Sequence, residues 1–150
     1  MSAYLLLKTL HVLSAVIVFG TGIGIAWYTL RGWLSGDRQV IRWISRETVT
    51  ADWLFTGSAI VALLASAVGM LTINPAWLQQ TWLQLAIALT GIVFLLWLPV
   101  VYLQYRLRHQ ASGTGNPEIH RIMRAWCLLG AIAFPLMVAI VFLMVAKPLF

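Results

Sequence analysis

Residues 125–146 read AWCLLGAIAFPLMVAIVFLMVA, a stretch that contains no charged side chain. A run of this length is enough to cross the hydrocarbon core of a bilayer, which requires about 20 residues in α-helical conformation. It is apolar on every face, whereas a helix on the surface of a soluble domain keeps one polar face. The stretch therefore predicts a transmembrane helix.

The rest of the chain repeats this pattern. Apolar runs of spanning length occupy residues 4–30, 52–73 and 82–105, and the last run belongs to a predicted helix over residues 117–147. Hydrophobic residues make up 61% of the chain and charged residues 9%, with a mean hydropathy of +0.90. Average soluble domains carry about 25% charged residues. We therefore predict an all-α fold, a four-helix transmembrane bundle of up-down topology that forms a single domain over residues 1–150.

The arginines are confined to two of the connections between the predicted helices. Residues 31–51 and 106–124 hold all eight of them, and residues 74–81 carry no charge. Connections rich in arginine face the cytoplasm, so both termini are predicted to lie outside. The net charge of +6 then reflects topology and contact with anionic lipid, and no motif for binding nucleic acid accompanies it.

The first of these connections has a helical charge pattern. Arg38, Arg42 and Arg46 recur every four residues and so share one face of a helix. The pattern predicts an amphipathic helix that either lies at the membrane interface or extends the second membrane helix inward.

His11 is the residue that says most about function. It lies about two turns into the first predicted helix, where ionisable side chains usually face the bundle interior or a cavity. The positions beyond it on the same face are small or apolar: Ser14, Ala15, Val18 and Gly22. An imidazole above small side chains suits an axial haem ligand with room for the macrocycle. A hydrogen bond that fixes helix packing, or a proton or metal site, would use the same residue.

A haem at His11 needs a second ligand or an open coordination position. Antiparallel helices place Met70 and Met144 within about one turn of the depth of His11. His109 and His120 belong to the arginine-rich connection and lie too far away, on the cytoplasmic side. The sequence therefore predicts cofactor binding by His11, with Met70 or Met144 as candidates for the second position, and no metal site other than the haem iron.

A second polar layer is predicted at the cytoplasmic ends of the helices. A carboxylate at that depth favours direct pairing with an arginine, because bidentate hydrogen bonds compensate for its desolvation. We expect such an ion pair for Asp52; a basic pocket for a phospholipid or quinone head group is the alternative. The residues of this predicted cluster are Asp52, Gln104, Arg106, Arg121 and Arg124.

Glycines mark one face of the first predicted helix. Gly20 and Gly24 form a GxxxG pair with Gly22 between them. Glycines at this spacing allow two helix backbones to approach closely. The pair predicts tight packing within the bundle or in a homodimer, or else room for a flat ligand.

Several motifs resemble those of a known family. They are residues 8–14 (KTLHVLS), 19–22 (FGTG), 51–56 (ADWLFT), 97–101 (WLPVV) with Gln104 and Arg106, and 143–148 (LMVAKP). Together they resemble a bacterial family of predicted four-helix integral membrane proteins that is defined as a domain of unknown function. The resemblance covers essentially the whole chain. It implies the four-helix fold and a location in the bacterial inner membrane, and it implies no activity.

The first predicted helix has a resemblance of its own. Its pattern Leu-Lys-x-Leu-His-Val-Leu, at residues 7–13, is similar to the opening of the short membrane protoporphyrinogen oxidases and to the copper-resistance D membrane domain. Those oxidases bind b-type haem through a histidine of helix one, so the resemblance implies that His11 is a haem ligand. It does not extend to the oxidase activity, because the third predicted helix has no lysine and no matching aromatic-glycine motif follows His11.

These observations lead to one expected function and one alternative. We expect a small b-haem-binding membrane protein for redox chemistry or electron transfer, surrounded by lipid and working with a quinone or another redox partner. The alternative is a non-enzymatic membrane component, either an accessory subunit or a permease for a small solute or a metal. Hydrolase and nucleotide chemistry have no support, since no Ser/His/Asp set, phosphate-binding loop or carboxylate pair is present.

Overall fold

The computed structural model describes residues 2–110 and 117–148, and helices make up almost all of that part of the chain. The α-helices are α1 (Ala3–Leu34), α2 (Arg38–Ala51), α3 (Ser58–Ile73), α4 (Thr81–Gln110) and α5 (Pro117–Ala146). A π-helical segment, Asp52–Gly57, joins α2 to α3, and a 3₁₀ turn, Pro75–Gln79, precedes α4. Within the described residues, four helical stretches are long and apolar enough to cross a membrane: Ala3–Leu34, Arg38–Ile73, Thr81–Gln110 and Glu118–Ala146. The predicted all-α membrane fold is confirmed.

The arginine-rich helix α2 continues directly into the second membrane helix. Of the two predicted arrangements, an interfacial helix or an inward extension, the extension is the one observed. Gly36 adopts a left-handed conformation with φ of 67° and ends α1. Asp37 then caps α2, since its Oδ1 atom accepts a hydrogen bond of 2.7 Å from the Gln39 N–H. From there the chain runs as one helical rod, Arg38–Ile73, without an intervening turn.

The membrane helices pack as two antiparallel pairs, α1 with α3 and α4 with α5. In the first pair, Leu7 approaches Gly69 and His11 contacts Leu63. Within the described residues, no Cα atom of α3 comes within 8 Å of one in α4 or α5. The pairs are joined by α2 against α4 and by a few contacts between α1 and α5, including Phe19 with Phe134 at 5.1 Å between ring centroids. As a result, α3 has a face that no helix of the second pair covers.

Aromatic side chains hold both ends of the bundle. We call the end of the bundle that carries both chain termini the terminal end. There Lys147 Nζ lies 5.4 Å from the ring centroid of Trp77 and 5.6 Å from that of Trp82. The arginine end is formed by residues 31–51 and the described parts of residues 106–124, and there Trp33 packs edge-on against His120 at 5.6 Å. Tryptophans at helix ends are typical of the membrane–water interface. Each end also has a buried apolar cluster: Trp82, Leu83, Ala86 and Leu143 at the first, and Leu107, Ile122, Met123 and Trp126 at the second.

The glycine face of α1 is open. A Cβ atom added to Gly20, Gly22 or Gly24 would meet nothing within 4 Å, so these glycines do not pack against any of the helices that the structure describes. Close packing occurs at Gly32 instead, where an added Cβ would lie 2.7 Å from Ile44 Cγ2. The GxxxG pair therefore does not serve for helix packing inside the bundle, which was one of the predicted roles.

Candidate functional site

His11 is bound to the neighbouring helix through one of its two ring nitrogens. Its Nδ1 atom lies 3.1 Å from the carbonyl oxygen of Leu63 and 3.2 Å from Ser66 Oγ. A carbonyl oxygen can only accept a hydrogen bond, so this arrangement places the proton of the neutral ring on Nδ1. The lone pair is then on Nε2, which points away from Leu63 and forms no hydrogen bond with the described residues.

Ser66 stabilises the same contact from the side of α3. It is fully buried, and its hydroxyl group donates to the carbonyl oxygens of Ala62 at 2.7 Å and Leu63 at 2.9 Å. Because the hydroxyl proton is used by the backbone, Ser66 Oγ acts as an acceptor towards His11. Ser66 was not among the residues predicted from the sequence. The feature of the sequence that could have indicated it is that Ser66 is the one hydroxyl side chain in the apolar run 59–71.

The surroundings of His11 satisfy the first requirement of an axial ligand. The imidazole is half-buried, so α3 covers only part of the ring. Further along α1, Ser14 is buried, Ala15 and Val18 are half-buried and Gly22 is exposed. A neutral imidazole with a free Nε2 atom, next to small side chains, is a donor that suits haem iron. His11 therefore fits the role of one axial ligand of a haem.

Met70 and Met144, the candidates for the second axial position, both lie nearer the terminal end. Met70 is one turn beyond Ser66 on α3 and follows Gly69, against which Leu7 packs. Met144 packs against the buried cluster around Trp82. Their role as ligands stays a prediction.

Asp52 occupies the first position of the π-helical segment and is buried, with 6% of its surface exposed. The polar groups that act on its carboxyl group belong to Thr56, Trp97 and Gln104, which are all neutral. The structure thus brings together Asp52 and Gln104 of the predicted polar cluster. Thr56 and Trp97 were not predicted as part of this cluster, because nothing in the sequence shows that position 97 of α4 faces the start of the π-helical segment.

The arginines of the predicted cluster lie elsewhere. No ion pair joins Asp52 to Arg106, Arg121 or Arg124 in the part of the chain that the structure describes, which corrects our expectation. Arg106 pairs with Glu118 at 3.3 Å near the surface, and Arg121 and Arg124 are exposed. The physical reason is desolvation: a guanidinium group keeps its water at the surface, and moving it beside a buried carboxyl group costs several kcal/mol.

A groove at the arginine end is the feature nearest to the basic pocket that the sequence suggested. It encloses about 410 Å³ between α1 and α5, and Arg124 is the charged residue of its lining. The other lining residues are Trp33, Met123, Cys127, Leu128 and Ala131. The groove is mostly apolar and opens to the surroundings.

The remaining histidines do not gather into a site. His109 is exposed at the end of α4, and His120 packs against Trp33. Over residues 2–110 and 117–148, no three His, Cys, Asp or Glu side chains lie close enough together to hold a metal ion.

Comparison with known proteins gives a family and no activity. No curated protein and no solved structure matches the chain. The similarity of α1 to the short membrane protoporphyrinogen oxidases and the copper-resistance D domain therefore remains a resemblance of that helix alone. A family model described as "Predicted integral membrane protein (DUF2269)" matches residues 5–148, which is nearly the whole chain. The chain thus belongs to the DUF2269 family of predicted integral membrane proteins.

Proposed function

We propose that this chain is a b-haem-binding redox protein of the bacterial inner membrane, with His11 Nε2 as an axial ligand of the iron. The observation that carries the proposal is the hydrogen bond of 3.1 Å from His11 Nδ1 to the Leu63 carbonyl oxygen. Metal-binding histidines almost always donate their second ring N–H to a carbonyl or carboxylate oxygen, which fixes the tautomer and makes the other nitrogen a better ligand. His11 has this arrangement, and no described residue forms a hydrogen bond with its Nε2 atom.

Haem would supply reversible one-electron exchange, and the chain supplies the ligand and its surroundings. Leu63 and Ser66 hold the imidazole in one orientation. Lys8 is exposed and lies three residues before His11, one turn away, where its ammonium group can pair with an anionic propionate. Electrons would then pass to a quinone or another redox partner in the membrane.

The proposal is tested by removing the ligand and supplying it again from solution. In His11→Gly, the purified full-length protein should lose its bound haem, and added imidazole should restore the Soret band by occupying the vacated position. His109→Gly is the control, because its ring is exposed at the arginine end, and it should keep its haem. A His11→Gly protein that binds haem with an unchanged spectrum would contradict the proposal.

The competing function is a non-enzymatic membrane component, such as an accessory subunit or a permease for a small solute or a metal. It is favoured if the contact of His11 with Leu63 and Ser66 serves only to hold α1 against α3. Replacing His11 would then cost about 1–2 kcal/mol of stability, as interhelical hydrogen bonds do in membranes. In that case imidazole would restore no spectrum, since the wild-type protein would bind no haem.

The open glycine face of α1 supports the further proposal of a homodimer. Gly20 and Gly24 have no packing partner among the described residues of their own chain, and small residues at this spacing let a second helix approach. Gly20→Leu and Gly24→Leu should abolish cross-linking between copies in liposomes, whereas Gly130→Leu on α5 should not. Unchanged cross-linking in the α1 variants would remove this face as the dimer contact.

A further inference from the structure

A buried polar cluster lies where the π-helical segment meets α4. It consists of Asp52, Thr56, Trp97 and Gln104 and is called the Asp52 cluster below. Asp52, Thr56 and Gln104 are 6%, 5% and 4% exposed. Among the residues that the structure describes, the buried atoms Thr56 Oγ1 and Trp97 Nε1 have no hydrogen-bond partner at normal geometry, although both groups act on the carboxyl group. Buried polar atoms without a partner are uncommon in native structures, so two of them beside one carboxyl group require an explanation.

The carboxyl group of Asp52 has no cationic partner in the described chain, because the side chains that act on it are neutral. The elements packed against it are α1, α2, α3 and α4. On α3 there is no ionisable side chain, and on the other three the ionisable side chains at this level are exposed or engaged elsewhere. They are Tyr28 and Arg31 on α1; Arg42, Arg46 and Glu47 on α2; and Tyr105 and Arg106 on α4.

The Asp52 cluster is built on a π-helical turn that is attached to α4. Single turns of π-helix are rare, and they occur frequently at functional sites. Here the turn that begins at Asp52 is also attached to α4, since Trp53 Nε1 donates a hydrogen bond of 2.9 Å to Tyr105 Oη. This attachment holds the start of the π-helical segment, and with it Asp52, beside Gln104 on α4.

We propose that Asp52 is a proton-binding site within the membrane domain, and that the Asp52 cluster is the hydrogen-bond network that responds to the proton. On binding, an O–H bond forms on one carboxyl oxygen with a proton taken from water at the arginine end, and the group changes from a charge of −1 to neutral. On release the same bond breaks and the proton returns to water. No oxidant or reductant takes part.

The donors and acceptors of the cluster suit both forms. With small adjustments of geometry, the ionised carboxyl group can accept hydrogen bonds from the neighbouring Thr56 O–H and Trp97 N–H and from the Gln104 amide. The protonated group donates to the Gln104 carbonyl oxygen, because that amide is both donor and acceptor. A proton is also the ligand that buried and closely packed side chains take up with the least rearrangement. The proposal is independent of haem binding, since it uses none of the residues around His11.

Infrared spectroscopy of the full-length protein in lipid nanodiscs tests the proposal. A protonated carboxyl group has a C=O stretching band that the ionised form lacks, and the chain has only four acidic side chains. Wild-type protein should show a band that rises and falls reversibly with pH and is absent in Asp52→Asn. Glu47→Gln, which removes an exposed carboxyl group, should keep it.

A milder variant keeps the test decisive if Asp52→Asn does not fold. Thr56→Val preserves shape and removes one hydroxyl group from the cluster, so it should shift both the frequency and the pH midpoint of the band. Thr50→Val is its control, because the Thr50 hydroxyl is exposed and donates to the Arg46 carbonyl oxygen. A spectrum without a titrating band, or a band that neither Asp52→Asn nor Thr56→Val alters, would overturn the proposal.

Discussion

His11 Nδ1 lies 3.1 Å from the carbonyl oxygen of Leu63, and the Ser66 hydroxyl oxygen completes the contact at 3.2 Å. In the folded chain, the orientation of the candidate ligand is therefore set by α3, the partner helix of α1. All three atoms that define this contact are polar and lie in an apolar layer, where an unpaired polar group costs several kcal/mol. The contact is therefore expected to persist in every state in which α1 and α3 remain packed.

Ser66→Ala should weaken the orientation of His11 without removing the ligand. The Leu63 carbonyl oxygen still accepts from Nδ1, so haem should remain bound while the stability falls by about 1 kcal/mol, the usual net value of one hydrogen bond. Thermal unfolding and a redox titration of the purified protein measure the two effects. Ser58→Ala, which removes an exposed hydroxyl group, is the control. Complete loss of haem in Ser66→Ala would show that the Leu63 contact alone does not position the ring.

The topology prediction places both termini outside and both arginine-rich connections inside. It depends on the distribution of the eight arginines between two connections. In a Cys127→Ser background, Ser2→Cys and Gln80→Cys should react with an impermeant thiol reagent added outside intact cells. Gln39→Cys and His109→Cys should react only after the membrane is opened. Reaction of Ser2→Cys and His109→Cys from the same side would contradict the model.

Thr29 and Thr48 form a buried hydrogen bond of 2.8 Å between α1 and α2. Thr29→Val or Thr48→Val alone leaves one hydroxyl group buried without its partner, which should cost about 1–3 kcal/mol. The double variant removes both groups and should be closer to wild type than the sum of the single variants predicts. Unfolding in mixed micelles gives the four free energies. Strict additivity would mean that the two hydroxyl groups do not depend on each other.

Gly32→Ala should destabilise the arginine end, because the added Cβ atom would lie 2.7 Å from Ile44 Cγ2. Overpacking of this kind typically costs about 1–3 kcal/mol. Ile44→Ala removes the clashing methyl group and should recover part of the loss in the double variant. Gly22→Ala is the matched control, since its Cβ would meet nothing within 4 Å. Equal unfolding midpoints for Gly32→Ala and Gly22→Ala would show that α1 and α2 separate at this point.

The membrane helices could be predicted from the sequence because hydrocarbon is a simple constraint. A helix that crosses it needs about 20 apolar residues, and each such run can be read directly. The sequence left open whether the second helix continues through the arginine-rich segment, since the pattern of Arg38, Arg42 and Arg46 suits an interfacial helix as well as an inward extension. The structure decides for the extension, because α2 runs into the π-helical segment without a turn.

The side-chain contacts could not be predicted in the same way. The position of His11 in an apolar run indicated a site, but its partner Ser66 is 55 residues away and one of many hydroxyl groups. Electrostatics alone suggested an arginine for Asp52, whereas the structure surrounds it with neutral groups from the next turn and from α4. Which face of one helix meets which face of another depends on packing, and spacing within one helix does not determine it. The π-helical turn also changes which face of α3 follows from a given face of α2.

The absorption spectrum of the purified wild-type protein, expressed with sufficient haem and recorded before and after reduction with dithionite, tests the central claim most directly. A Soret band that shifts on reduction, is lost in His11→Ala and is retained in His109→Ala is the predicted result. Both variants should be folded, as judged by their elution volume and a cooperative unfolding transition. Loss of the Soret band then reflects loss of the axial ligand and not loss of the fold. A wild-type protein that stays colourless after haem supplementation, with His11→Ala differing from it only in stability, would contradict the account.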